Sequence, residues 1–229
     1  MTRSIDFFYD YLSPYAYLAW LRLPEVCKER GIEIIPRPVL FAGLLNHWGH
    51  LGPAEIPPKG RHVFRECARF AALAGIPFRS PRYHPFRPLT ALRVSLAEVA
   101  ADKQAEVISA IFTAGWANGE DLGSVATISA ALNSSGLDGD SLIAAADSPS
   151  AKLKLRQETD AAVALGVFGI PTVVVDGELF WGLDQLPYLA LFLDGKDPLD
   201  SIDVSKITAE GRTAVRPASL KRGPQQEDR

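Results

Sequence analysis

The chain has 229 residues, 47% of them hydrophobic, and a formal net charge of -3 at pH 7. This length and composition provide a buried core for one large domain or two small ones, and they exclude disorder for most of the chain. A pI near 5.8 gives no basic footprint for nucleic acid, and no apolar run is long enough to span a bilayer, so we expect a soluble protein with neither partner.

The first ten residues lack the features of a secretory signal. Asp6 stands where the apolar segment would have to begin, and no small-residue cleavage site follows, which predicts a cytoplasmic protein. Two cysteines, Cys27 and Cys67, lie in apolar segments of helical pattern. We expect two buried thiols there rather than a disulfide or a metal site.

The first forty residues have a strand-helix-strand pattern. Residues 4–11 are rich in aromatic and β-branched types, which predicts a strand, and apolar residues recur at helical spacing after it. Ser13 suits the N-cap of that helix and Pro14 its first position, while Gly31 closes the helix before a second strand over residues 32–39.

The rest of the chain is a helical block followed by a hairpin and a helix. Alanine-rich segments of helical period follow one another from about residue 60 to 165, and Gly166 ends the last of them. Two short strands, over residues 172–175 and 178–181, flank an Asp-Gly turn, and a final helix begins near Asp184.

This order of elements predicts an α/β fold, a thioredoxin-like core (βαβ…ββα) with a large inserted all-helical domain, because neither end of the chain makes a covered four-stranded sheet alone. We assign the core to residues 1–45 and 166–200, and the insertion with its preceding loop to residues 46–165. The polar tail, residues 204–229, is expected to be mobile.

Ser13 stands where a thioredoxin-fold oxidoreductase places its Cys-x-x-Cys motif. The segment Ser13-Pro14-Tyr15-Ala16 holds no cysteine, which argues against dithiol chemistry, since disulfide exchange needs a protein thiolate. A helix N-terminus stabilises an anion, including a thiolate brought by a ligand, and a serine hydroxyl can donate to that sulfur. The alternative is that Ser13 only caps the helix, the commoner role of a Ser-Pro pair.

Pro171 stands directly before a run of valines. A cis Ile170-Pro171 bond would turn the backbone of Ile170 outward, where it could pair with an extended peptide. The alternative is an ordinary trans proline that starts a strand.

Two charged residues are candidates for binding the ends of a ligand. Asp184 opens the last helix and can hold the ammonium of a γ-glutamyl group, or act only as an N-cap. Lys59 follows two prolines in what we predict to be a rigid turn, and can pair with a ligand carboxylate or be merely solvated.

Together these segments resemble the motifs of 2-hydroxychromene-2-carboxylate isomerases and kappa-class glutathione transferases, within the DsbA-like thioredoxin superfamily. The resemblance runs in order over nearly all of residues 4–195, through Phe8 to Tyr15, Pro57 to Gly60, Phe168 to Thr172 and Phe180 to Asp184.

The resemblance implies a glutathione site. In it the residue matched by Ser13 steadies the thiolate, and the residue matched by Ile170, ahead of Pro171, pairs through its backbone with the cysteinyl part. The residues matched by Lys59 and Asp184 bind the two ends.

Two positions depart from the kappa pattern. His50 replaces an asparagine, and Leu183 replaces a polar residue, although its backbone N–H can still serve. His50 lies with His47 and Trp48 on what we predict to be a glycine-containing loop, a possible lid. Two close histidines without a third ligand argue against a metal.

A second, small aromatic or electrophilic substrate is expected between the core and the insertion. The candidate contacts are Phe86 and Arg87, which precede a predicted long helix bearing Arg93, and Trp116. The alternatives are core packing for Trp116 and a surface charge for Arg87.

The resemblance implies an enzyme of aromatic catabolism, a glutathione-dependent isomerase in which the thiolate adds reversibly to a conjugated carbon. A kappa-like transferase and a non-catalytic glutathione or peptide binder remain as alternatives. A homodimer is implied by the resemblance only.

Overall fold

A computed structural model describes residues 3–207 of the chain. Most of the tail predicted to be mobile, residues 208–229, lies outside the described residues. The first residues of the predicted tail are described, and they form a short 3-10 turn over Val204–Lys206.

Four strands form one mixed sheet. They are β1 (Ser4–Tyr9), β2 (Glu33–Pro38), β3 (Thr172–Val175) and β4 (Glu178–Trp181), in the order β2-β1-β3-β4. β1 pairs in parallel with β2 and antiparallel with β3, and β3 pairs antiparallel with β4. Both the predicted strand-helix-strand start and the final hairpin are confirmed.

Helices account for most of the remaining described residues. In order they are α1 (Pro14–Lys28), α2 (Phe41–Trp48), α3 (Pro57–Ala74), α4 (Leu89–Val94), α5 (Ala97–Ala100), α6 (Gln104–Phe112), α7 (Val125–Ser134), α8 (Gly139–Ala146), α9 (Pro149–Ala164) and α10 (Leu186–Leu193). A π-helical turn over Thr113–Ala117 continues α6, and a 3-10 turn over Leu183–Gln185 precedes α10. No helix within residues 3–207 combines the length and apolar character needed to cross a bilayer.

Three local predictions were wrong. Lys59 lies in the first turn of α3 rather than in a rigid turn, because Pro57 occupies the first helical position, where a missing N–H costs no hydrogen bond. His47 and Trp48 lie in the last turn of α2, not in a loop. The helix bearing Arg93 is only six residues long.

One continuous apolar core joins the sheet to the helical block. It contains side chains of β1, α1, α3 to α9, β3 and α10. At its centre, the ring of Phe112 lies 4.6 Å from that of Tyr11 and 5.7 Å from that of Tyr9, measured between centroids. Cys27 and Cys67 are free and buried, as predicted.

The sheet topology brings the candidate segments to one edge. Because β2 is parallel to β1 while β3 and then β4 reverse direction, the C-terminal ends of β1, β2 and β4 meet the start of β3. The segments at this edge begin or end at Ser13, Phe41, Pro171 and Leu183.

Candidate active site

Ser13 caps α1 and keeps a donor free. Its side-chain oxygen accepts the N–H of Ala16 at 3.1 Å, and the residue is 7% exposed. Within residues 3–207 its hydroxyl proton has no acceptor. Since a hydroxyl accepts and donates at once, the capping role and the proposed thiolate role are compatible at one side chain.

Ile170 presents an unpaired backbone at the same edge. Its bond to Pro171 is cis, one of the two alternatives that the sequence left open. The neighbouring carbonyls are occupied: Gly169 accepts the hydroxyl of Thr172 at 2.7 Å, and Pro171 accepts the N–H of Gly182 at 2.9 Å. No hydrogen bond joins the N–H or C=O of Ile170 to any described residue, so both are available to an extended ligand.

Leu183 and Asp184 follow the end of β4. The side chain of Leu183 is buried, and its backbone N–H opens a 3-10 turn without an acceptor among residues 3–207. Asp184 is exposed and accepts a bond from the side-chain amide of Gln185 at 3.0 Å. Gly182, not Asp184, occupies the N-cap, so the simple capping alternative for Asp184 was wrong.

Lys59 and His50 are exposed on the helical side. Lys59 has no ion pair within the described part of the chain. It lies seven residues before Glu66 on α3, about 10 Å along the helix axis. Glu66 in turn accepts a hydrogen bond from the hydroxyl of Tyr15, in the first turn of α1. His50 follows Gly49, whose left-handed backbone ends α2.

Asp10 is a residue that the sequence reasoning missed. It is fully buried three residues before Ser13, and its two carboxylate oxygens accept the N–H groups of Leu12 at 3.0 Å and Phe41 at 2.9 Å. Burial raises the pKa of Asp10 to about 7, and the backbone hydrogen bonds oppose that rise. The available signal was an acid inside an otherwise apolar run.

The contact that His84 makes with the turn before Ser13 was not predicted from the sequence. Its Nε2 lies 2.9 Å from the carbonyl oxygen of Leu12, so this nitrogen donates. Burial lowers the pKa of His84, which leaves the imidazole neutral at pH 7. The ring therefore fixes the loop before Ser13 from the side of the helical block.

The three predicted substrate contacts lie in different environments. Trp116 has no exposed surface, and its indole N–H donates to the carbonyl of Tyr11 at 2.8 Å, so this prediction was wrong and Trp116 is a core residue. Phe86 is nearly buried, with its ring 6.1 Å from that of His84. Arg87 is exposed.

The donors and charges at this edge fit a peptide-like thiol. Free backbone groups of Ile170 and Leu183 can pair with its amides, and Ser13 offers a hydroxyl donor. Lys59 and Asp184 are exposed charges of opposite sign, the first in the opening turn of α3 and the second just after β4. Within residues 3–207, no three His, Cys, Asp or Glu side chains are grouped to share a metal ion.

Comparison with known proteins shows the family to which the chain belongs. The chain matches the DSBA-like thioredoxin domain over residues 4–194. It is 29% identical over 195 residues to a 2-hydroxychromene-2-carboxylate isomerase of Sphingobium xenophagum, covering 84% of this chain and 99% of the relative. It is also 29% identical over 215 residues to glutathione S-transferase kappa 1 of Rattus norvegicus, covering 85% of this chain and 92% of the relative.

The fold agrees as well. A solved 2-hydroxychromene-2-carboxylate isomerase superposes with a TM-score of 0.75 at 24% identity, over 90% of this chain and 100% of that one. The chain therefore belongs to the DSBA-like thioredoxin domain family, and within it resembles the hydroxychromene-carboxylate isomerases and kappa-class transferases.

Proposed function

We propose that this chain is a glutathione-dependent isomerase of 2-hydroxychromene-2-carboxylate type. The observation that carries the proposal is Ser13, a buried helix-capping serine whose hydroxyl proton has no acceptor within residues 3–207. It occupies the position where redox relatives with this fold need a cysteine. The similarity to isomerases over most of the chain supports the same conclusion.

The chain's own residues would hold glutathione along the sheet edge. The backbone of Ile170 pairs with the cysteinyl part, beside Pro171, and the N–H of Leu183 adds a further donor. Lys59 pairs with a carboxylate and Asp184 with the ammonium group. We also propose that the exposed His50, directly after α2, contacts a ligand carboxylate or amide.

Bound glutathione supplies a nucleophilic thiolate that can add reversibly to a conjugated substrate. The hydroxyl of Ser13 and the N–H of Tyr15, which has no acceptor within residues 3–207, stabilise negative charge at the sulfur position together with the positive end of α1. To lower a thiol pKa by about two units, these groups must favour the thiolate by roughly 2.7 kcal/mol. One hydroxyl and one helix terminus are sufficient for that magnitude.

The second substrate is proposed to bind beside this edge, against the helical block. Phe86 offers an apolar contact at the margin of the core and Arg87 an exposed cation for an aromatic carboxylate. We further propose that the protein acts in the cytoplasm as a homodimer. Sedimentation of the purified chain measures the oligomeric state directly.

A kappa-like transferase is the second candidate, favoured by the similarity to glutathione S-transferase kappa 1. Counting free thiols during turnover separates the two reactions. An isomerase returns glutathione after each cycle, so the thiol concentration is constant, whereas a transferase consumes one thiol for each product molecule.

Replacement of Ser13 by alanine tests the proposal. We expect Ser13→Ala to lose roughly 10- to 100-fold in kcat/KM, as expected for loss of a hydrogen bond to a charged group. It should also lose the absorbance of glutathione thiolate near 240 nm that we expect for the wild-type complex. The missing cap should lower the free energy of unfolding by about 1 kcal/mol.

Ser148→Ala is the matched control. Ser148 also caps a helix, α9, and also precedes a proline. It should show a similar loss of stability with unchanged activity. Equal activity in wild type and Ser13→Ala, with glutathione still bound, would support the third alternative, a non-catalytic binder, and contradict the proposed function.

A further inference from the structure

Asp10 ties two segments of the site edge together. One carboxylate oxygen accepts the N–H of Leu12 at 3.0 Å, and the other accepts the N–H of Phe41 at 2.9 Å. The carbonyl of the same residue accepts the N–H of Ser13 at 3.1 Å. Both the side chain and the backbone of Asp10 therefore hold the turn that contains Ser13.

The contact with Phe41 has a second consequence. Phe41 is the first residue of α2, and the N-cap residue, Leu40, supplies no capping side chain. The Asp10 carboxylate takes that place from a distant part of the chain, against the positive end of the helix. Movement of α2 and movement of the Ser13 turn are thus coupled through one buried side chain.

We propose that Asp10 is a positioning residue that aims the Ser13 hydroxyl at the glutathione sulfur by fixing the Ser13 turn against α2. This inference rests on the proposed function. The contacts of Asp10 point to an action through Ser13, because each of its side-chain oxygens holds a backbone amide, one in the Ser13 turn and one at the start of α2.

A positioning role and a charge role of Asp10 predict opposite effects of Asp10→Asn on the pKa of the bound thiol. An amide has only one acceptor oxygen, so one of the two backbone bonds is lost and the Ser13 turn loosens. Weaker hydrogen bonding from Ser13 raises the pKa of the bound thiol. If Asp10 acted instead as a nearby negative charge, its removal would favour the thiolate and lower that pKa.

The experiment measures the pKa of the bound thiol by absorbance near 240 nm, and the glutathione Kd by calorimetry. For Asp10→Asn we expect the thiol pKa to rise by roughly one unit and Kd to rise roughly tenfold. Asp6→Asn is the control, since Asp6 is a partly exposed carboxylate in β1, the strand that Asp10 follows, and it pairs with Arg37. It should change neither quantity.

A double mutant shows whether Asp10 acts through Ser13. In a Ser13→Ala background, Asp10→Asn should cause no further rise in the thiol pKa, because the hydroxyl that it positions is absent. Additive effects of the two substitutions would contradict the inference.

A second pair of variants tests the same contact without changing Asp10. Phe41→Pro removes the N–H that Asp10 accepts, at a helix position that tolerates proline, while Phe41→Ala removes only the ring. Phe41→Pro should reproduce the Asp10→Asn shift and Phe41→Ala should not. This pair decides the question if Asp10→Asn fails to fold.

The outcomes separate this inference from the proposed function. Wild-type binding together with an unchanged or lowered thiol pKa in Asp10→Asn and in Phe41→Pro overturns the positioning role and leaves the proposed function intact. Absence of glutathione binding by the wild-type protein overturns the proposed function, and the inference with it.

Discussion

Ser13 and Ser148 share one local motif but differ in the hydrogen bonds of their hydroxyl groups. Each serine precedes a proline and caps a helix, with its oxygen accepting an amide at 3.1 or 3.2 Å. The hydroxyl proton of Ser148 is donated to the carbonyl of Ala145 at 2.7 Å, whereas that of Ser13 has no acceptor in the described range. The difference lies in the surroundings of each serine and not in the motif.

Asp10 should make stability depend on pH. Burial raises the pKa of its carboxyl from 3.8 to about 7, so the folded state keeps a proton that the unfolded chain releases over this range. The contribution of Asp10 is greatest below about pH 4 and is lost as the pH rises toward 7. The neighbouring hydroxyls of Tyr9 and Tyr11 do not titrate in this range, because burial raises their pKa values further above neutrality.

Comparison of wild type with Asp10→Asn isolates this effect from other titrating groups. Between about pH 5 and pH 8, the free energy of unfolding of the wild type relative to the variant should fall by about 2–3 kcal/mol. Urea unfolding at each pH measures it. A constant difference over the range would mean that the pKa of Asp10 is not raised in the folded state.

At the scale of elements, α2 is held at both ends by hydrogen bonds to distant partners. Its first N–H is held by Asp10, and the N–H just before it, from Leu40, donates to the hydroxyl of Thr159 at 3.0 Å. At the other end, the indole of Trp48 donates to the carbonyl of Val167 at 2.9 Å. Val167 lies three residues before Ile170, so this bond joins α2 to the loop that carries the free backbone groups.

Trp48→Phe should loosen that junction. The lost hydrogen bond should lower the free energy of unfolding by about 1 kcal/mol. The loosened loop should weaken glutathione binding several-fold. Trp181→Phe is the control, because the indole N–H of this half-exposed residue has no acceptor among residues 3–207. Unchanged binding in Trp48→Phe would separate α2 from the glutathione site.

At the scale of the whole molecule, the sheet and the helical block share one core. Trp116 of the block donates to the backbone of Tyr11, and the hydroxyl of Tyr11 lies 2.5 Å from that of Ser95, also in the block. Neither part can separate without exposing these buried polar groups. The domain division at residues 45 and 166 therefore remains a prediction about chain organisation. We expect the two parts to unfold together.

We expect a single cooperative unfolding transition. Tryptophans report from both parts, with Trp20 in α1 and Trp116 in the block, so fluorescence and far-ultraviolet circular dichroism should give the same midpoint. Trp116→Phe should lower both midpoints together. Two separated transitions would show that the insertion unfolds as an independent domain.

Much of this architecture follows from local patterns. The strand over residues 4–11 is shorter than predicted, ending at Tyr9, because the Asp10 side chain bonds the N–H of Leu12 and turns the chain. The prolines at 57 and 58 start a helix instead of a turn, and His47 and Trp48, predicted on a loop, lie in the last turn of α2. These errors concern segments where a proline or a distant partner decides the local structure.

The sequence by itself determined the order of elements, the helix cap at Ser13, the cis proline candidate and the absence of a cysteine at the redox position, because each depends on residues adjacent in the chain. Only the tertiary structure decided that Asp10 bridges to Phe41, that His84 holds the carbonyl of Leu12 and that Trp116 is core. Those contacts join residues 31 to 105 positions apart, and side-chain pairing at such separation is set by how the elements pack.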